Sequence, residues 1–551
     1  MKAIIKQKLF DILTPLVASW NIDLNQQLEV INNINKDVLK FGHYSTNLPL
    51  KLSKIINQNP LEIAKQIETE LNKNSLSFFT KIEVQFPGFI NLFVSKDFIF
   101  DNFIKFDNSN YKPEFKSTPK YNLNYEYVSA NPTGWLHLGH ARNAFVGDIV
   151  TNLFAYTGSK VFLEYYINDF GVQIDNLTKS VIYYYNVLTN QPQTLEQPLY
   201  QGKEIKEYAD EFYHVYGDTY SLDSVENFKF IKQTSLKHFL NEIEKTLNLL
   251  KIKKFNIFTS EADLYNSKKV DDAIVELQKN NALYVKDNAT WLRSSLKGDD
   301  KDRVVIKENG EFTYLTADIA NHINKLKKGF NKLINLWGKD HHGYEKRMKA
   351  SLEFLSYDAD ILEIDYINMV QVTNLGETIK MSKRAGTSIT INEILNEIEP
   401  DILRYFMVSK TKDQGLEIDL SEIKNQSNAN PYFYLQYANA RSNQVLEKYF
   451  PNEIKMLKKL TKANTDKDIE LLLKVLEFEE IIESSIRNRE PSILLNYSKE
   501  LASVFHSFYN SNKIISDNII MTQERILIIS IFKKVLKNVF DLLGISPLNK
   551  M

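Results

Sequence analysis

Two short segments of this 551-residue chain hold the residue types that nucleotide chemistry needs. The first is His137-Leu138-Gly139-His140; the second, more than two hundred residues later, is Lys380-Met381-Ser382-Lys383-Arg384. Imidazoles at His137 and His140 can donate hydrogen bonds to phosphate oxygens as charge builds on them, and in a dry, preorganised site one such donor contributes about 2.7–4 kcal/mol to a transition state. Lys380 and Lys383 supply positive charge on a segment with Gly376 before it and Ala385-Gly386-Thr387 after it. Such a loop can close over a nucleotide and meet a departing pyrophosphate instead of the resting substrate. Each half has another reading. Histidines three apart on a helix face suit a metal, but the site then needs further ligands, and the chain has no Cys and no adjacent Glu-x-x-His. A basic pentapeptide on its own is an ordinary solvated charge run. The order and flanks of the pair favour the nucleotide. No G-x-x-x-x-G-K-[ST] or G-x-G-x-x-G phosphate cradle is present, so the His/Lys pair carries the proposal.

These residues need elements to hold them. Tyr121 to Val128 alternates and is rich in β-formers, and Ser129-Ala130-Asn131-Pro132-Thr133-Gly134 is a cluster of turn formers. From His140, the residues Ala141, Ala144, Phe145, Ile149, Leu153 and Phe154 recur at helical spacing. The histidines therefore fall at a helix start, where unpaired N–H groups and the dipole favour phosphate. Leu138 is expected to point into the core. Gly139, lacking a Cβ, would let a flat ring approach the backbone.

Before this unit, Ile4, Ile5, Leu9, Leu13 and Val17 predict an amphipathic helix, and Leu61 to Leu71 predicts another. Alternation of Ile82, Val84 and Phe86, a turn at Pro87-Gly88 and the run Phe89 to Val94 predict a hairpin, giving a small α+β domain. An Asn-, Lys-, Ser- and Pro-rich linker follows, from about Asp107 to Lys120. Far downstream, Asn428 to Pro431 marks a boundary. Beyond it Leu435, Ala438, Val445 and Leu446, then Leu471, Leu472 and Leu476, then Ile526 to Val535, form helix stripes. With 68 Lys+Arg against 69 Asp+Glu, any polyanion must be met by segregated patches. Candidates are Lys455, Lys458, Lys459 and Lys462, or Lys533, Lys534 and Lys537. The lack of Cys excludes disulfides and thiol chemistry and fits a reducing cytoplasm. Lys6, Lys8 and Asp11 interrupt any secretory core, and no apolar run reaches the roughly 20 residues needed to span a bilayer.

The two motifs resemble the paired signatures of class I aminoacyl-tRNA synthetases, and the text around them is similar to the bacterial arginyl branch. The resemblance rests on Glu126 to Gly134, Glu164 to Asp169, Trp291-Leu292-Arg293, Gly298 to Val305, Tyr314 to Asp318, Trp337 to Tyr344 and Gln436 to Arg441. Leu138 replaces isoleucine and Arg384 the terminal serine of the generic motifs. Gly134 stands where many arginyl enzymes lacking the second motif carry a lysine.

The resemblance implies an α/β protein with a Rossmann-type parallel-sheet catalytic domain, a small N-terminal α+β domain and a C-terminal α-helical bundle. It divides the chain into 1–110, touching the tRNA elbow; 118–400, catalytic with an insertion; 401–430, connecting; and 431–551, binding the anticodon. It implies that L-arginine is activated by ATP, carried with Mg2+, and then transferred to tRNA(Arg), without zinc or a tightly bound cofactor, by a cytoplasmic monomer. His137, Gly139, His140, Met381, Ser382 and Lys383 would bind ATP, with His137, His140, Lys380 and Lys383 acting on its phosphates. Glu126, Asn131, Glu261, Tyr314, Asp318 and His342 would hold arginine, whose guanidinium needs carboxylates and an aromatic face. Tyr432, Gln436, Tyr437 and Arg441 would meet tRNA, since Tyr can stack on unpaired bases. Two alternatives stay open: a neighbouring synthetase of other specificity, and a non-catalytic tRNA-binding paralogue.

Overall fold

A computed structural model describes residues 1–33, 38–74, 77–107, 115, 118–220, 224–341, 343–374, 377–378, 390–427, 429–449 and 465–551. At the N-terminus, helix Lys2–Ala18 buries Ile5, Leu9, Leu13 and Val17 and packs on helix Pro60–Asn74. They accompany an antiparallel sheet of β1 (Ile31–Asn32), β2 (Tyr44–Thr46), β3 (Phe79–Gln85) and β4 (Phe89–Val94), in the order β1-β2-β4-β3. The expected hairpin is there, but Phe86 lies outside the alternation, in the turn and 80% exposed.

The central sheet is parallel throughout. It comprises β5 (Asn122–Glu126), β6 (Lys160–Ile167) and β7 (Ile257–Ser260). After β7 the chain makes a small antiparallel sheet of β8 (Leu283–Lys286), β9 (Ala289–Leu292) and β10 (Arg303–Ile306), then returns as β11 (Lys332–Gly338) and β12 (Leu362–Ile367). The order β12-β11-β5-β6-β7 means that the chain leaves β5 in one direction and later returns on its other side. A doubly wound sheet opens a crevice at such a switch point, beyond the carboxyl ends of its strands. Between β6 and β7, helices Val172–Thr189, Lys203–Tyr216 and Val225–Leu249 form a satellite with its own aromatic-rich core around Tyr185, Tyr208, Phe212 and Phe239.

The helix between β5 and β6, Leu138–Tyr156, is here called the motif helix. Its expected apolar stripe is in fact a burial nearly all round, because it lies between the sheet and the C-terminal helices. Leu138 is fully buried, as expected. A Cβ on Gly147 would meet the Tyr127 ring at 2.4 Å, so glycine permits the close approach of helix to strand.

Helices Pro431–Tyr449, Asp466–Leu476, Phe478–Asn488, Pro491–Ser511 and Ile519–Leu543 make the C-terminal bundle, with Leu435, Leu471, Leu472 and Phe532 inside. The bundle is bolted to the motif helix by polar contacts. Asn152 donates to Leu542 O at 3.0 Å, and Arg404, from helix Pro400–Met407, pairs with Asp148 at 2.5 Å. The same guanidinium reaches Leu543 O and Lys251 O, so its buried charge is both paired and hydrogen-bonded. One apolar cluster continues from Ile5 through Phe145 to Phe532. No described helix is long and apolar enough to cross a membrane.

Candidate active site

A cleft of about 730 Å³ opens at the carboxyl ends of β5, β6, β11 and β12. The first motif contributes to its lining. His137 caps the motif helix: Gly139 N donates to His137 Nδ1 and His137 N to His140 Nδ1, both at 3.2 Å. With both Nδ1 atoms accepting, the ring protons sit on Nε2, which makes each imidazole a donor. The rings stack 3.8 Å apart. Gly139 has a structural reason beyond access for a flat ring, since a Cβ there would lie 3.0 Å from His137 Cε1.

Lys380, Met381, Ser382 and Lys383, with their flanking glycines, lie outside the described residues, as does His342. The first residue described after that loop is Thr390, which forms a β-bridge with His137, while Ile391 N donates to Leu136 O at 3.3 Å. The chain that follows the second motif thus lies directly beside the first at Thr390 and Ile391.

The lining is also acidic. Helix Tyr314–Lys327 puts Tyr314 and Asp318 on the cleft face, as their four-residue spacing implies. Glu261 begins the short helix after β7, and Glu126 ends β5. Burial, with Asp318 and Asp169 adding to it, pushes the Glu261 carboxyl up to about 7. Burial also pushes Asp318 up to about 7, with Glu126 adding to the rise and the Tyr344 hydroxyl, donating at 2.6 Å, opposing it. Burial raises the Glu126 carboxyl as well, but Lys325 Nζ, 2.5 Å from one of its oxygens and 3.7 Å from Glu164, works against the rise. Burial works against that ammonium, yet the two carboxylates hold its pKa above the ordinary lysine value. His322, between Asp318 O and Asn335, is pushed down to about 3, chiefly by burial, and stays neutral. Glu126 therefore has a lysine partner, and Glu261 and Asp318 are carboxyls suited to a planar cation.

Asn131 also lines the cleft, with its amide donating to Gln173 Oε1 at 2.7 Å. It follows a strained turn in which Val128 has φ 65° and Ser129 φ 35°, a region costly for a β-branched residue. Asn143 holds that turn, accepting from Val128 N at 2.7 Å and donating to Leu336 O at 3.0 Å. Sequence reasoning missed Asn143, Tyr344, Gln173 and Lys325. A polar residue inside an apolar helix was a usable signal for Asn143, and Lys325, seven residues after Asp318 on a helix, for the same face. Tyr344 closes the Trp337 to Tyr344 segment of the resemblance, which gave it no role, and nothing local marked Gln173.

Two tRNA candidates need correction. Tyr432 is 2% exposed and Gln436 fully buried. The Gln436 amide donates to Tyr432 Oη and Ser546 O and accepts from Leu548 N, so Gln436 pins the end of the chain, and both side chains, being buried, offer no face to a base. Tyr437 and Arg441 are half-buried, with Arg441 3.1 Å from His506 Nδ1. Of the lysine patches, 455–462 lies outside the described residues, while Lys534 pairs with Asp107 and Lys537 with Asp541.

Known proteins match along the whole length. Residues 1–94 match the arginyl tRNA synthetase N terminal domain, 106–450 the class I (R) tRNA synthetase catalytic domain, and 435–551 the DALR anticodon binding domain. The arginine–tRNA ligase of Bacillus cereus is 38% identical over 521 residues, covering 93% of this chain and 92% of its own. That of Staphylococcus epidermidis is 38% identical over 530 residues, 95% of each chain. The solved arginyl-tRNA synthetase of Thermus thermophilus, at 18% identity, superposes over all of both chains with a TM-score of 0.78, which is a likeness of fold. A cleft lined both by paired imidazole donors and by two carboxyls raised by burial, in a chain matched over nine-tenths of its length, leads to one conclusion: the chain belongs to the arginyl-tRNA synthetase family of class I aminoacyl-tRNA synthetases.

Proposed function

We propose the following division of labour for the ligation of arginine to tRNA(Arg) at the expense of ATP, the reaction of this family. The observation that carries it is the lining of one cleft, which joins the imidazole donors of the motif helix with the Glu261 and Asp318 carboxyls. The guanidinium enters between Glu261 and Asp318 and displaces the protons that their burial favours. Tyr314 offers its ring at the rim, and Tyr344 keeps Asp318 aimed inward. Asn131 and Glu126 accept from the α-ammonium, leaving the carboxylate directed toward the nucleotide. His342 adds an arginine contact from the neighbouring loop.

ATP enters as its magnesium complex, with phosphate oxygens and water supplying most of the metal's ligands. Gly139 lets the adenine lie against the motif helix, beside Met381 and Ser382. The arginine carboxylate attacks the α-phosphorus in line, the bond to the bridging oxygen breaks, and pyrophosphate leaves. His137 and His140 donate from Nε2 to oxygens whose charge grows in that step, and Lys380 and Lys383 close on the pyrophosphate. The terminal adenosine hydroxyl of tRNA then attacks the arginyl carbonyl and releases AMP. No group on the enzyme is acylated, so positioning and charge stabilisation account for the rate.

The domains at 1–110, 118–400, 401–430 and 431–551 divide elbow contact, chemistry, connection and anticodon contact, with Tyr437 and Arg441 the remaining tRNA candidates on the first bundle helix. The enzyme works as a cytoplasmic monomer with no resident zinc. Arginine-dependent exchange of labelled pyrophosphate into ATP, with and without tRNA, tests the whole scheme. Exchange is expected with arginine and with no other amino acid. Exchange with another amino acid alone would move the chain to a sister specificity, and silence on folded protein would leave the non-catalytic paralogue.

A further inference from the structure

The loop after helix Pro400–Met407 runs Ser409-Lys410-Thr411-Lys412-Asp413-Gln414-Gly415, polar residues with no chemistry evident in their spacing. Its surroundings give it a task. Arg142, fully buried two residues after His140, places its guanidinium against three carbonyls: Asn368 O and Gln414 O from Nη1, and Thr411 O from Nη2, each at 2.9 Å. Among the described residues the hydrogen-bond partners of those atoms are all carbonyls, with the Glu490 and Asp413 charges acting from farther off, so the position of the loop fixes the position of the guanidinium.

Lys412, inside that loop, faces the other way. Its Nζ donates to Asn488 O at 2.9 Å and Arg489 O at 3.1 Å, the carbonyls that end bundle helix Phe478–Asn488, and lies 3.1 Å from Asp365 Oδ1. Its backbone N donates to Glu490 Oε2 at 3.0 Å. Arg489, in the left-handed conformation at φ 49°, bonds the second oxygen of Asp365 at 2.8 Å. The Lys412 side chain is only 14% exposed, although a lysine tied to a surface loop could reach water freely. On the cleft side, Lys412 O accepts from Asn368 N at 2.8 Å, and Asn368 and Met369 line the cleft.

We infer that Lys412 is a positioning residue for the nucleotide end of the active site, joining the 488–490 turn of the bundle to the motif helix through Thr411, Gln414 and Arg142. The turn holds Lys412, Lys412 holds the loop, and the loop's carbonyls hold Arg142 half a turn from the stacked imidazoles. The seating of the bundle thereby sets where His137 and His140 point. A contact that only stapled two domains would cost stability and leave the chemistry of folded molecules untouched. A positioning contact costs turnover, because a misplacement of about 1 Å in a catalytic group can cost about a hundredfold.

The inference rests on the proposed role of the two histidines, and the experiment separates the two. Full-length wild type is assayed first for arginine-dependent pyrophosphate exchange in the presence of tRNA, with His140→Asn as a check on the motif. Silence from wild type, or full activity in His140→Asn, would remove the underlying scheme. Lys412→Met is then expected to lower kcat about tenfold or more per folded molecule, with KM for ATP and arginine within about twofold, and Lys412→Arg to recover most of the loss. Glu490→Ala, which removes the acceptor of Lys412 N, is expected to lower kcat in the same way. The double variant should lose less than the product of the two single losses, since both break one link. Should Lys412→Met not fold, Glu490→Ala and Lys412→Arg are judged by the same criteria. A kcat within twofold of wild type in folded Lys412→Met or Glu490→Ala, a loss confined to KM, or independent losses in the double variant would overturn the inference.

Discussion

Asp318→Asn should make the ligand-free protein more stable and a much poorer enzyme. The carboxyl has an ordinary pKa of 3.8 and is pushed up to about 7 in the folded chain, first by burial. A shift of about three units corresponds to a ceiling of about 4 kcal/mol. Because one side of the group faces an open cleft, about 1–3 kcal/mol is a sounder expectation. The sign follows from proton binding. Between pH about 4 and about 7 the folded state keeps a proton that the unfolded state has released, so stability falls as pH rises through that window and is flat above it. Asparagine cannot ionise and still accepts from the Tyr344 hydroxyl at its amide oxygen. Its advantage should therefore be full at about pH 8 and about half as large at pH 5.5. Urea unfolding of ligand-free wild type and variant at the two pH values measures this directly. Pyrophosphate exchange on the same preparations should show a KM for arginine raised by about a hundredfold, because the guanidinium loses a charged partner. A variant less stable than wild type at pH 8, an advantage that does not shrink at lower pH, or an unchanged KM would refute the electrostatic account of this site.

The same pair sets a pH dependence in wild type. Glu261 and Asp318 are both raised to about 7 and must release protons to pair with arginine, so KM for arginine should rise between about tenfold and a hundredfold from pH 8 to 6; steady-state kinetics with saturating ATP would reveal it. Gly139→Ala puts a methyl group where the His137 ring lies 3.0 Å away, and kcat for exchange should fall about tenfold or more with arginine KM unchanged. Lys325→Met leaves Glu126 and Glu164 buried without their cation, and thermal or urea unfolding should register a loss of about 3–5 kcal/mol.

Much of the active site was legible in the linear order. The strand, turn and helix around His137 follow from local alternation and periodicity, and the Tyr314–Asp318 pairing follows from helix geometry alone. So do the buried stripes of the first helix and the bundle, because periodicity records which face meets a core. Tyr432 and Gln436 mark the limit of that logic. A polar side chain near a motif looks the same in sequence whether it faces RNA or, as with Gln436 here, the chain's own Tyr432, Ser546 and Leu548. Phe86 marks it too, since alternation continued one residue past the strand that produced it.

What the sequence determined by itself was the chemistry on offer and the family, because residue types and short spacings survive in one dimension. Tertiary structure decided which charges balance which. Lys325 neutralises Glu126 across 199 positions, Arg404 meets Asp148 across 256, and Arg142 finds its three carbonyls between 226 and 272 residues away. A carboxylate's pKa, and so its readiness to take a guanidinium, depends on burial and on charges within a few ångströms. Those are fixed only when the sheet order brings distant segments together.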